Sequence, residues 1–148
     1  MLATYRDKKE NLAVMTELME GARVVLSEQP LEVFEPIQLK GTVDQVLKMK
    51  NGLHIALDTK TRNHTTVYAK DIFQLSCYTY LLAHLGFAMA STGIIRFMVP
   101  SKHGAVEKLK LVKLYPAEEI ESVFLSCYRD QLLIKEGQTF NCQCGFHV

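Results

Sequence analysis

The alternation of side chains across residues 41–60 constrains this fold more than any other part of the chain. Two runs, 41–49 and 53–60, alternate apolar with polar residues on either side of a turn containing Asn51-Gly52, a pattern that predicts a β-hairpin. Two registers compete. A two-residue Asn-Gly turn would set Lys50 opposite Leu53 and place Lys48, Lys50 and Asp44 on the face of Leu53, Ile55 and Leu57, which a half-buried sheet does not tolerate. A three-residue loop of Lys50-Asn51-Gly52, with Gly52 in the left-handed position, sets Met49 opposite Leu53 instead. Met49, Leu47 and Val43 then join Leu53, Ile55 and Leu57 on one apolar face. On the other face, Asp44 falls across from Asp58, and Lys60 follows on the same side because residues two apart in a strand point together.

Opposed carboxylates, with Cβ atoms ~4.5–5.5 Å apart, repel unless a cation lies between them. Hard oxygen ligands of this kind suit Mg²⁺ or Mn²⁺, which bind through one or two carboxylates plus substrate phosphate. A lysine two residues on can orient or deprotonate a water, or stabilise charge on a transferring phosphate. These are the parts of phosphodiester hydrolysis.

The succession of Gly41-Thr-Val-Asp44, a hydrophobic strand ending Asp58-Thr59-Lys60-Thr61, and a following helix with Gln74 and Tyr78 resembles the RecB-type branch of the PD-(D/E)xK nuclease superfamily. Within that branch it is similar to single-domain nucleases related to the CRISPR-associated and RecB exonucleases. The resemblance implies that Asp44, Asp58 and the Thr59 carbonyl hold the metal, that Lys60 is catalytic with the two acids, and that Gln74 and Tyr78 border the site. It also implies a further acidic or His ligand from an N-terminal helix. Glu17 and Glu20 lie opposite that helix's apolar stripe, and Glu20 is the weak candidate, with a plain surface Glu as the competing reading. Several members hold an iron–sulfur cluster through one Cys ahead of the core and three near the C-terminus. This chain has none ahead of the core and two at the end, Cys142 and Cys144, a departure that argues against a cluster.

With 148 residues, the chain reads as one domain, closed by a polar Cys-containing tail over residues 138–148. Its apolar runs are too short to span a bilayer and its start lacks a signal-peptide layout. Four cysteines without paired spacing fit a reducing compartment, so a cytoplasmic protein is expected. The overall charge is +1, but residues 40–70 carry six bases against two acids, Asp44 and Asp58. A metal would neutralise those acids and leave a positive surface for a DNA backbone. Arg62 is a candidate phosphate contact in the polar connection after Lys60, and His64 reads more simply as a loop residue.

Along the chain, residues 8–27 read as an amphipathic helix striped by Leu12, Met15, Met19, Ala22 and Leu26. Residues 31–39 read as a first strand. Asp71 and Gln74 have capping-box spacing at the start of a helix that Gly86 stops. Residues 92–99 form a buried central strand containing Arg96, which needs a partner, and 106–114 form an outer strand. Pro116 begins a last helix. The expected fold class is α/β, a mixed sheet of about five strands flanked by helices, with a restriction-endonuclease-like core. The expected function is a Mg²⁺- or Mn²⁺-dependent DNA nuclease, with exonuclease action implied by the resemblance alone. Alternatives are a non-catalytic nucleic-acid-binding or assembly module of the same fold and a structure-selective endonuclease. A homo-oligomer or a larger nuclease or recombination complex is compatible with each.

Overall fold

The computed structural model describes residues 19–135, with side chains through residue 128. Its five strands are β1 (Arg23–Val33), β2 (Leu39–Lys48), β3 (His54–Thr61), β4 (Thr92–Ser101) and β5 (Gly104–Lys113), and they lie in that order across one sheet. Strands β3 and β4 are parallel and the other neighbours are antiparallel. A parallel pair requires a long crossover, which helix α1 (Ala69–His84) provides; helix α2 (Ala117–Lys135) follows β5. The expected mixed α/β architecture is therefore present. Among the described residues, no helix is long and apolar enough to cross a membrane.

The β2–β3 turn has the expected three-residue form. Met49 N–H donates to the Leu53 carbonyl at 2.8 Å, Gly52 N–H returns to the Met49 carbonyl at 2.9 Å, and Gly52 has φ +88°. Its register runs Lys48↔His54, Leu47↔Ile55, Val46↔Ala56 and Gln45↔Leu57. Leu47, Met49, Ile55 and Leu57 share one core with Ile94. On the other face, Val46, Ala56, Ile95 and Phe97 pack with Leu75, Leu81 and Leu82 of α1 and Ile120 of α2.

Three expectations need correction. Val43 belongs to the α1-side core together with Val46, three positions away, so the alternation of β2 breaks across Asp44 and Gln45, and Leu53 is 36% exposed. The helix expected through residue 27 ends earlier: Met19 closes a helical turn, Gly21 turns with φ +73°, and Arg23 already opens β1. Residues 8–18, and with them most of the expected stripe and Glu17, lie outside the described residues. The strand expected at 31–39 is divided, because β1 stops at Val33 and the chain turns through the cis Glu35-Pro36 bond before β2 starts at Leu39. Pro30 is accommodated because β1 is an edge strand, where a missing N–H costs no ladder bond.

Candidate active site

The predicted site residues from β2, β3 and α1 meet on the α1 side of the sheet. Beyond Gln45↔Leu57 the β2–β3 ladder ends, one pair short of the expected Asp44/Asp58 match. There the Thr59 N–H donates to Asp44 Oδ2 at 2.8 Å, so a carboxylate takes the place of a strand carbonyl. The break in β2 alternation thus serves the site, since it brings the Asp44 side chain against the β3 backbone.

Asp58 shares the face of Ala56 and is only 4% exposed. Its Oδ2 lies 2.8 Å from Lys60 Nζ, an ion-pair contact outside hydrogen-bond angles that leaves this buried oxygen with no hydrogen-bond partner. Burial pushes the Asp58 carboxyl above its ordinary range. Lys60 opposes that rise, and the charge and hydrogen-bonding of the nearby Asp44 carboxylate add to it.

Lys60 Nζ also donates to Gln74 Oε1 at 2.6 Å, and Gln74 Nε2 donates to Tyr78 Oη at 2.9 Å. Gln74 and Tyr78 sit four apart on one face of α1, which makes this relay possible. Burial raises the Tyr78 phenol, the Gln74 contact works against that, and the negative charges of Asp58 and Asp44 raise it further. The Tyr78 ring packs over Gly41, where a Cβ would meet Tyr78 Cε1 at 3.0 Å. Gly41 therefore makes room for the tyrosine, a role not visible in the hairpin pattern.

The remaining predicted residues fall elsewhere. Gln74 does not cap α1. Tyr68 is the N-cap residue, and Asp71, at the third helical position, accepts the Tyr68 N–H at 2.9 Å. Arg62 is bound to Asp71 through two bonds of 2.7 Å and reaches the Thr66 carbonyl at 3.3 Å, so its guanidinium holds the loop to the helix rather than standing free for phosphate. His64 is exposed and accepts the Thr66 N–H at 3.2 Å, as a loop residue does. Glu20 is exposed beside Gly21, which neighbours Lys50 at the hairpin turn. Five residues of strand, ~16 Å, separate that turn from Asp44, so Glu20 is at the wrong end of the hairpin to complete the site. Cys142 and Cys144 lie outside the described residues. Cys77 and Cys127 are half-buried cysteines on the two helices.

Sequence reasoning missed two features. The Arg62–Asp71 pair was concealed because Tyr68 is not a customary cap residue. Arg96 donates to Thr59 Oγ1 at 3.1 and 2.8 Å and to Gln45 Oε1 at 3.4 Å. The partner it needs is thus supplied by neutral groups, and its pairing with Thr59 across β3 and β4 follows from the sheet register.

The donor set fits a hard divalent cation: two adjacent carboxylates, one with a buried oxygen lacking a hydrogen bond, beside a strand-end backbone. Among the described residues, no group of three or more His, Cys, Asp or Glu is placed to hold a metal ion, so the site offers a pair of carboxylates.

No curated protein matches the chain. The protein titled "Crystal structure of SSO0001" is 18% identical with a TM-score of 0.43, over 94% of this chain and 63% of its own, so the present chain spans less than two thirds of that protein's length. The family model of the PD-(D/E)XK nuclease superfamily matches residues 2–136. With nearly its whole length so matched, and with Asp44, Asp58 and Lys60 brought together at the ends of two neighbouring strands, the chain belongs to the PD-(D/E)XK nuclease superfamily.

Proposed function

We propose that the protein is a divalent-metal-dependent deoxyribonuclease of the RecB-type branch, hydrolysing phosphodiester bonds as an exonuclease. The observation that carries this reading is the buried Asp58 carboxylate, its Oδ2 unbonded beside Asp44, in ion-pair contact with a lysine that Gln74 and Tyr78 hold in place. Asp44, Asp58 and the Thr59 carbonyl would hold Mg²⁺ or Mn²⁺. Bound there, the ion supplies Lewis-acid polarisation of the phosphate and a more acidic attacking water.

The chain's own residues do the rest. Lys60, as its ammonium, positions the attacking water and offers positive charge to the phosphate oxygens as negative charge builds there. Gln74 fixes the ammonium through its carbonyl oxygen, while its amide group, anchored on Tyr78, keeps that oxygen from turning away. Gly41 lets the Tyr78 ring approach closely enough to close the relay.

The test is cleavage of linear DNA with Mg²⁺ or Mn²⁺ by Asp58→Ala and Lys60→Ala variants whose circular dichroism is unchanged. Loss of roughly 10²–10⁴-fold is expected for Lys60→Ala and at least as much for Asp58→Ala. Undiminished cleavage by both variants overturns the assignment, and cutting of closed circular or branched DNA would move the protein from exonuclease to structure-selective endonuclease.

A second reading, a nuclease-fold module that binds nucleic acid without turnover, is favoured by one observation: Glu20 is remote, so no third acid completes the pair among the described residues. Such a module would gain no stability from metal.

A further inference from the structure

We propose that the segment joining β3 to α1 is a stacking platform for single-stranded nucleic acid, with the Tyr68 ring as the surface on which one base lies. This rests on the nuclease reading for its biological sense, though not for its geometry.

The loop is tied down along its length. Arg62 grips Asp71 at 2.7 Å and reaches the Thr66 carbonyl, Thr66 N–H is held by His64, Lys110 Nζ donates to the Thr65 carbonyl at 2.5 Å, and Tyr68 N–H is held by Asp71. Despite this anchoring, the Tyr68 ring is 43% exposed and belongs to neither core. A lone exposed aromatic is ordinary. What distinguishes this one is its setting: Arg62 Cζ lies 5.1 Å from the ring centroid, Lys70 Nζ lies 5.8 Å away, and the exposed His64 ring meets it edge-on at 5.9 Å. An aromatic ring beside an exposed cation is the chemistry that binds single strands: a base stacks on the exposed part of the ring while a phosphate takes the charge of Lys70, Arg62 being committed to Asp71.

Its position along α1 fits the site. Tyr68 is the N-cap of α1, and the Arg62–Asp71 pair beside it is close enough to feel the charges of Asp58 and Lys60. Tyr68 lies ~9 Å along the axis from Gln74, near enough for a base adjoining a phosphate at Lys60. A paired base inside a duplex offers no free face, so the platform selects an unpaired strand.

Tryptophan offers a direct reading, because the chain contains none. The experiment uses the full chain in EDTA, so that the probe is not consumed, with a fluorescein-labelled oligo-dT strand and a blunt duplex of equal length. Tyr68→Ala should weaken single-strand binding by about tenfold or more, whereas Tyr68→Phe and Tyr68→Trp should retain it. The indole introduced by Tyr68→Trp should be quenched by oligo-dT and little affected by the duplex. The proposal is overturned if the unmodified chain does not bind the strand, if Tyr68→Ala binds as tightly as the unmodified chain, or if the indole responds equally to both probes. Cleavage is scored separately, so a Tyr68 result of either sign leaves the Asp58 and Lys60 test standing on its own.

Discussion

Asp58, the carboxylate proposed to hold the metal, lies almost fully out of water. Its raised carboxyl pKa gives a definite sign to its effect on stability. A carboxyl that protonates more readily in the folded state than in the unfolded one contributes stability below its ordinary value of 3.8, and that contribution is lost as pH rises through the higher folded value. Above that folded value the metal-free protein carries the cost of a buried charge beside Asp44. Asp58→Asn should raise the melting temperature of metal-free protein at pH 7 and leave it little changed at pH 3, while cleavage is lost. Thermal melts at the two pH values check this, and a lower melting temperature at pH 7 would show that the Lys60 contact outweighs burial. The Asp-x-Lys motif and the register made this residue legible in the sequence. The side-chain capture of the Thr59 N–H by Asp44 was not, because it depends on a break in β2 alternation that apolar residues at both Val43 and Val46 conceal.

At the scale of elements, the hairpin was legible because only one register keeps lysines out of the apolar face, and a mixed sheet was expected without naming β3 and β4 as its parallel pair. The start of β1 was not. Ala22 and Leu26 fit a helical stripe as well as a strand, and nothing but the backbone of Gly21 divides the two. The beginning of α1 was misplaced for a similar reason, since Asp71 caps from inside the helix and leaves Gln74 for Lys60. That arrangement depends on Arg62. Burial alone would push the Asp71 carboxyl up, but the Arg62 and Tyr68 hydrogen bonds and the charge of Arg62 outweigh it and hold the carboxyl below its usual value. The stability it supplies is present above pH 3.8 and is lost as pH falls below. Arg62→Ala should cost about 3 kcal/mol at pH 7, because it strands a buried carboxylate, and much less at pH 3. Arg62→Lys should recover only part, since an ammonium cannot make the two-pronged contact. Urea titrations at both pH values would measure these differences, and equal costs at pH 7 and pH 3 would show that the ion pair is not the source.

For the molecule as a whole, the proposed ion between the two carboxylates would make metal binding and folding one equilibrium. An ion that binds only the folded chain adds about 2.7 kcal/mol of stability at a hundred times its Kd. Mn²⁺ should therefore raise the melting temperature of the unmodified protein and leave Asp44→Asn and Asp58→Asn variants nearly unmoved. An absence of any metal-dependent shift, with DNA present or not, would favour the non-catalytic module.

The sheet is open, and its two margins are unlike the site between them. One margin, β1, carries Pro30 and a left-handed Glu28; the other, β5, carries Lys108, Lys110 and Lys113. Neither invites a foreign strand to extend the ladder. Copies of the chain at high concentration can thus sit side by side without zipping together into aggregates.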